Sequence, residues 1–224
     1  KLIADPQVRN RGTIGGDIAH GDPGNDHPAL SIVIDASFVL EGPKGRRTVA
    51  ADGFFLGTYM TLLEENEVMC EIRVPAFAAG TGYAYEKLKR KTGDWATAGC
   101  AVVIRKSGDQ VSHVRVALTN VAPAALRVEA AEAALLNKPF NAANVQAAVD
   151  AVIAICDPAE DLRGDVEYKT AMAGAMVKRA LNKASNRRQQ HARHGAHRTL
   201  TLPIQRKRGR TEDQAFAAGH GFTV

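Results

Sequence analysis

Three alternating apolar runs followed by three segments of helical spacing constrain the fold of this chain more than any other feature. The runs cover residues 83–89, 96–106 and 110–118. Period-two alternation is the pattern of strands with one buried face, and Ser107-Gly108-Asp109 between the last two signals a hairpin turn. After Pro123, residues 126–136, 142–155 and 167–181 place apolar side chains at three- and four-residue steps, as amphipathic helices do. Strands followed by helices, rather than alternating with them, predict an α+β lobe. Its helices should form a bundle on one face of a three-stranded antiparallel sheet. A chain of 224 residues is long enough for that lobe and a second, smaller one.

Gly80 and Gly82 mark the boundary between the two. Upstream, residues 27–40 begin as a short helix and end as a strand. Residues 48–50 form a second strand after the Gly42-Pro43-Lys44-Gly45 turn. Asp52 is placed to cap a brief helix containing Phe54 and Phe55, and residues 67–75 close the lobe as a strand. The expected division is therefore 1–76, 77–182 and a tail at 183–224. That tail carries nine Lys and Arg against Glu212 and Asp213, whereas residues 1–182 hold 20 basic and 22 acidic residues. It has little apolar periodicity and reads as disordered. Its charge suits a nucleic acid or an anionic surface, but it offers few aromatic side chains for base stacking. A solvated terminus is the simpler reading, and no nucleic-acid partner is expected.

The 45% hydrophobic and 24% charged content is that of an ordinary soluble domain, and no apolar stretch approaches the roughly 20 residues that span a bilayer. The first residues carry no secretory h-region, so a cytoplasmic protein is expected, at most peripheral to the inner face of the membrane. Lys1 stands where an initiator methionine would, which leaves room for an upstream segment. Cys70, Cys100 and Cys156 are too far apart for a zinc or iron–sulfur motif and read as small apolar residues. Residues 1–182 contain three histidines, His20, His27 and His113, and no nucleophile–base constellation emerges around them. That absence fits redox chemistry, in which the protein holds and tunes a cofactor that does the reaction.

The run Val8-Arg9-Asn10-Arg11-Gly12-Thr13-Ile14-Gly15-Gly16-Asp17-Ile18-Ala19-His20-Gly21-Asp22-Pro23 places four glycines within ten residues. It is neither the dinucleotide fingerprint nor the phosphate loop. By spacing alone it is either a tight structural turn with positive φ or a surface on which a phosphate or polyol lies against bare backbone.

This stretch resembles the second flavin-binding motif of the FAD-carrying subunit of molybdenum hydroxylases, the family of aerobic carbon monoxide dehydrogenase and xanthine dehydrogenase. Further segments resemble the same family in order. They are Asp52-Gly53-Phe54-Phe55-Leu56-Gly57-Thr58-Tyr59, then Glu67-Val68-Met69-Cys70-Glu71-Ile72-Arg73-Val74-Pro75. Tyr85-Glu86-Lys87-Leu88 with Gly93-Asp94-Trp95-Ala96 follows, and finally Tyr168-Lys169-Thr170-Ala171-Met172-Ala173-Gly174.

The resemblance implies a subunit that takes electrons from an iron–sulfur small subunit, fed by a molybdenum–pterin large subunit, and passes them through FAD to a quinone or other acceptor. It implies FAD contacts at Thr13, Ile14, Gly15, Gly16 and Asp17, chiefly through backbone N–H groups and the Thr13 hydroxyl. Asp26 matches a carboxylate that accepts hydrogen bonds from the flavin nucleotide, Met69 a residue whose backbone meets the ring system, and Lys87 a cation near the ring. Such a cation would stabilise reduced, anionic flavin. Asp17 departs from the commoner Asn or Ser, and a carboxylate repels a diphosphate. The family also carries an upstream lobe whose own glycine-rich loop holds the diphosphate. A sequence without that loop is expected to retain FAD weakly, or to serve as a non-catalytic interaction module.

Overall fold

The computed structural model describes residues 3–187 and 200–203. The first lobe opens with three short helices, α1 (Pro6–Arg11), α2 (Ile14–His20) and α3 (Asp26–Val33). Strands β1 (Ser37–Gly42), β2 (Gly45–Ala50), β3 (Phe55–Gly57), β4 (Met60–Thr61) and β5 (Val68–Val74) follow. β1 pairs antiparallel with β2 on one side and β5 on the other, while β3 and β4 form a separate hairpin. The second lobe contains β6 (Thr81–Leu88), β7 (Ala98–Ser107), β8 (Gln110–Thr119) and β9 (Leu126–Arg127), then α4 (Glu129–Leu135), α5 (Ala142–Ile153) and α6 (Val166–Asn186). The α+β arrangement is present, with an antiparallel sheet in the order β6-β7-β8-β9 and the helices on one face.

β7 ties the two lobes together. Its residues 98–104 are all buried, because the strand is covered on both faces. Cys100, Val102 and Ile104 point into a core shared with α4, α5 and α6. Ala101 and Val103 point the other way, into a core built on Phe38, Phe54, Ile32 and Ile72 of the first lobe. Phe54 sits edge-on between Phe38 (4.8 Å) and Phe55 (5.2 Å), a favoured aromatic geometry. Among the described residues, no helix is long and apolar enough to cross a membrane.

Three expectations need correction. Asp52 caps no helix: Gly53 turns at φ +81°, Phe55 opens β3, and the Asp52 carboxylate accepts from Arg127 Nη1 at 2.6 Å. The sheet has four strands rather than three. Residues 126–127 pair with β8 before buried Val128, whose N–H donates to Val116, lets α4 begin.

The tail also does not begin unstructured at residue 183. α6 runs on to Asn186 because its last turns are packed against β6, where a Cβ at Gly82 would stand 2.0 Å from the Ala184 carbonyl oxygen. Lys183 pairs with Glu86, Lys106 donates to Ser185 at 2.7 Å, and the Arg187 guanidinium lies 5.1 Å from the Tyr83 ring. A further strand, β10 (Leu200–Pro203), pairs antiparallel with the free edge of β5. The other tail residues lie outside the described ones.

Candidate cofactor site

The glycine-rich segment is mostly helix. Thr13 caps α2, its hydroxyl oxygen accepting the Gly16 N–H at 3.0 Å, and Gly15 and Gly16 are buried within the first turn. The expectation of positive φ at these two glycines is therefore corrected: the left-handed position is Gly21, at φ +65°, which ends the helix. A Cβ there would stand 2.8 Å from Thr61 Cγ2, and the Gly21 carbonyl accepts from Tyr59 N–H. The N–H groups of Ile14 and Gly15 head the helix, where no preceding turn supplies a carbonyl. The Ile14 side chain beside them is 40% exposed.

Asp17, two positions past Gly15, turns towards the next helix. Its Oδ2 lies 2.7 Å from Nδ1 of His27, and its carbonyl accepts from Asn25 Nδ2 at 3.2 Å. The aspartate thus ties α2 to α3. The loop between the helices is equally fixed. Asp22 Oδ1 accepts from Gly24 N–H at 2.8 Å, and the Pro23 carbonyl accepts from Asn120 N–H of the second lobe at 2.8 Å.

Asp26, in the first turn of α3, is the centre of the site. Its carboxylate is almost fully buried and is met by two residues of β6: Lys87 Nζ donates to Oδ2 at 3.0 Å and Tyr85 Oη to Oδ1 at 2.5 Å. Only 2% of the Asp26 side chain and 5% of that of Lys87 reach solvent, so the ion pair is internal. Across the ladder, Tyr85 faces Ala101 and Lys87 faces Gly99, and these small residues leave space above β7 for the two long side chains. Burial, reinforced by the charge of Asp26, pushes the Tyr85 phenol well above its ordinary pKa, so it remains a neutral donor.

Thus Asp26 and Lys87, 61 residues apart, are brought into contact. The Thr13–Gly16 turn lies on α2, which packs beside α3. Met69, the second residue of β5, turns its side chain into the first-lobe core opposite Leu40, which leaves its backbone as the part able to meet a ligand. His20 ends α2 with its ring 4.9 Å from that of Tyr59.

Two residues escaped the sequence reading. Tyr85 stood in a quoted motif without a role, though its i, i+2 relation to Lys87 puts both on one face of the strand. Trp95 is half exposed beside the Asp22–Gly24 loop, since a Cβ on Gly24 would touch its Cδ1 at 2.7 Å. Its ring is steadied by the Arg163 guanidinium at 5.6 Å, and Arg163 is itself paired with buried Asp94 at 3.0 Å. Helix-end N–H donors, a hydroxyl, a buried carboxylate, a cation and a flat exposed ring form a donor set that suits a flavin nucleotide.

Residues 1–77 match the family model described as FAD binding domain in molybdopterin dehydrogenase, and residues 83–184 match the CO dehydrogenase flavoprotein C-terminal domain. The chain belongs to the molybdopterin dehydrogenase flavoprotein family. Over 184 residues, this flavoprotein is 81% identical to the carbon monoxide dehydrogenase medium chain of Hydrogenophaga pseudoflava, a match covering 82% of the chain and 64% of the relative. It is 48% identical to the medium chain of Afipia carboxidovorans, covering 83% of the chain and 65% of the relative. Identity to the xanthine dehydrogenase FAD-binding subunit of Escherichia coli O157:H7 is 29%, with 81% and 63% covered. Among solved structures, carbon monoxide dehydrogenase from Hydrogenophaga pseudoflava superposes with a TM-score of 0.81 at 85% identity, over 82% of this chain and 64% of that one. The flavoprotein sequence thus spans a little under two thirds of the length of these relatives.

Proposed function

We propose that this chain is the FAD-holding part of the medium subunit of a molybdenum hydroxylase of the carbon monoxide dehydrogenase type. Its partners are an iron–sulfur small subunit and a molybdenum–pterin large subunit, and it works in the cytoplasm. The observation that carries the reading is the buried Asp26–Lys87 pair with Tyr85, assembled from α3 of one lobe and β6 of the other. Residues 1–76 and 77–182 are the two parts that meet there.

When bound, FAD supplies the redox step between the iron–sulfur relay and a quinone or other acceptor. The chain's own residues bind and orient it. Ile14 and Gly15 present backbone N–H groups and Thr13 its hydroxyl proton to its polar oxygens, while Gly16, whose N–H is taken by the Thr13 cap, leaves that approach free of a side chain. Asp17 acts as a brace through His27 rather than as a ligand. Asp26 offers a fixed acceptor, Lys87 a fixed positive charge that favours an electron-rich ring, Met69 its backbone, and Trp95 a face on which a flat ring can stack.

The test is the visible spectrum of the full-length subunit purified together with its partners. Flavin bands that bleach on chemical reduction are expected, at one flavin per subunit. A colourless, stably assembled subunit would overturn the reading and leave an interaction module in its place.

A further inference from the structure

Tyr85 is more tightly engaged than a framework residue needs to be. Its hydroxyl donates to Asp26 Oδ1 at 2.5 Å and lies 3.5 Å from Thr119 Oγ1. The site is cut to fit that hydroxyl. A Cβ on Gly99 would stand 3.0 Å from Tyr85 Oη and 3.1 Å from Thr119 Cβ, closer than side chains ordinarily pack. Gly99 has no positive φ, so backbone conformation gives no reason for a glycine at this position. Space for the phenol does.

The need for the phenol follows from the state of Asp26. A carboxylate offers about four lone-pair positions, and burial leaves it no water to fill those that the protein does not. Lys87 takes one oxygen. With only that partner, the carboxylate could swing about its Cβ–Cγ bond and carry the lysine ammonium with it. A second donor, on the other oxygen, fixes the carboxylate plane, and the Asp26 charge then holds Lys87 in one place.

We propose that Tyr85, seated against Gly99, is a positioning residue of the flavin site: it orients the Asp26 carboxylate and, through it, the Lys87 ammonium. The proposal rests on the FAD reading above. It differs from a general packing role in one measurable respect, because an effect exerted through Asp26 vanishes when Asp26 has already been neutralised.

The experiment is a double-mutant cycle on FAD affinity in the full-length subunit, followed by flavin fluorescence, with thermal melting of each variant in parallel. Tyr85→Phe should weaken FAD binding about tenfold, the effect of losing a hydrogen bond to a charged group. In an Asp26→Asn background the same change should cost less than about twofold. Gly99→Ala, which removes no polar atom, should weaken FAD binding severalfold when Tyr85 is present and by clearly less when it is Phe, because only the crowding against Thr119 then remains. A merely structural tyrosine would give losses that multiply in the double variants and follow the melting temperature. That result, or Tyr85→Phe binding FAD as well as the wild type, would overturn the proposal while leaving the FAD reading standing. A wild-type subunit that binds no FAD would overturn both.

Discussion

At the scale of single residues, the site depends on one buried charge being matched. Asp26 and Lys87 are both nearly inaccessible to water, where a lone charge is costly and a paired one tolerable. Lys87→Met should therefore destabilise the protein by about 3 kcal/mol, since it leaves the carboxylate without its cation. The double variant Asp26→Leu with Lys87→Met should recover most of that loss, because no unpaired charge remains. Urea unfolding measures both, and a loss under about 1 kcal/mol in the single variant would mean that Lys87 is not the partner of Asp26. The sequence carried the identity of these two residues through family resemblance but not their contact. No spacing rule relates positions 26 and 87; their meeting is a product of how the lobes pack. Asp17 was legible only in its oddity, and its explanation needed His27 on a different helix.

At the scale of elements, strand and helix periods were legible wherever one face is buried. β6, β7, β8, α5 and α6 all lie close to their expected positions. The reading failed where a local signal competed with a longer-range partner. Asp52 looks like a helix cap, yet Arg127 of the second lobe takes its carboxylate, and the glycines of α2 look like a turn, yet Thr13 starts a helix through them. The opening of β5 shows how charge steadies an element. Both oxygens of Glu67 are held by Arg47 at 2.7 Å, and one also accepts from the Glu64 N–H at 2.9 Å. Together these hold its carboxyl at about 2, against an ordinary 4.5. A depressed acid pKa contributes stability that is present above the unfolded value and lost as the group protonates. Stability should therefore fall as pH drops from 4.5 towards 2, and Glu67→Gln should remove that part of the slope. Urea midpoints followed by circular dichroism through this range provide the measurement. Parallel curves for the two proteins would show that Glu67 is not the group responsible.

At the scale of the whole molecule, the two lobes share a core and a chain of charges. Arg115 bridges Asp35 (3.1 Å) to Glu132 (3.3 Å), and Arg127 bridges Asp52 (2.6 Å) to the same buried Glu132 (2.8 Å). These contacts fix α3 against the second sheet, and so present Asp26 to Tyr85 and Lys87. The central claim is that this junction is where FAD is held. The most direct measurement is FAD affinity of the Asp26→Asn variant in the full-length subunit, taken where circular dichroism shows it folded. Asparagine keeps the size of the side chain and removes the charge. Binding at least tenfold weaker, with the dichroism unchanged, is the expected result. FAD affinity within about twofold of the wild type would contradict the account.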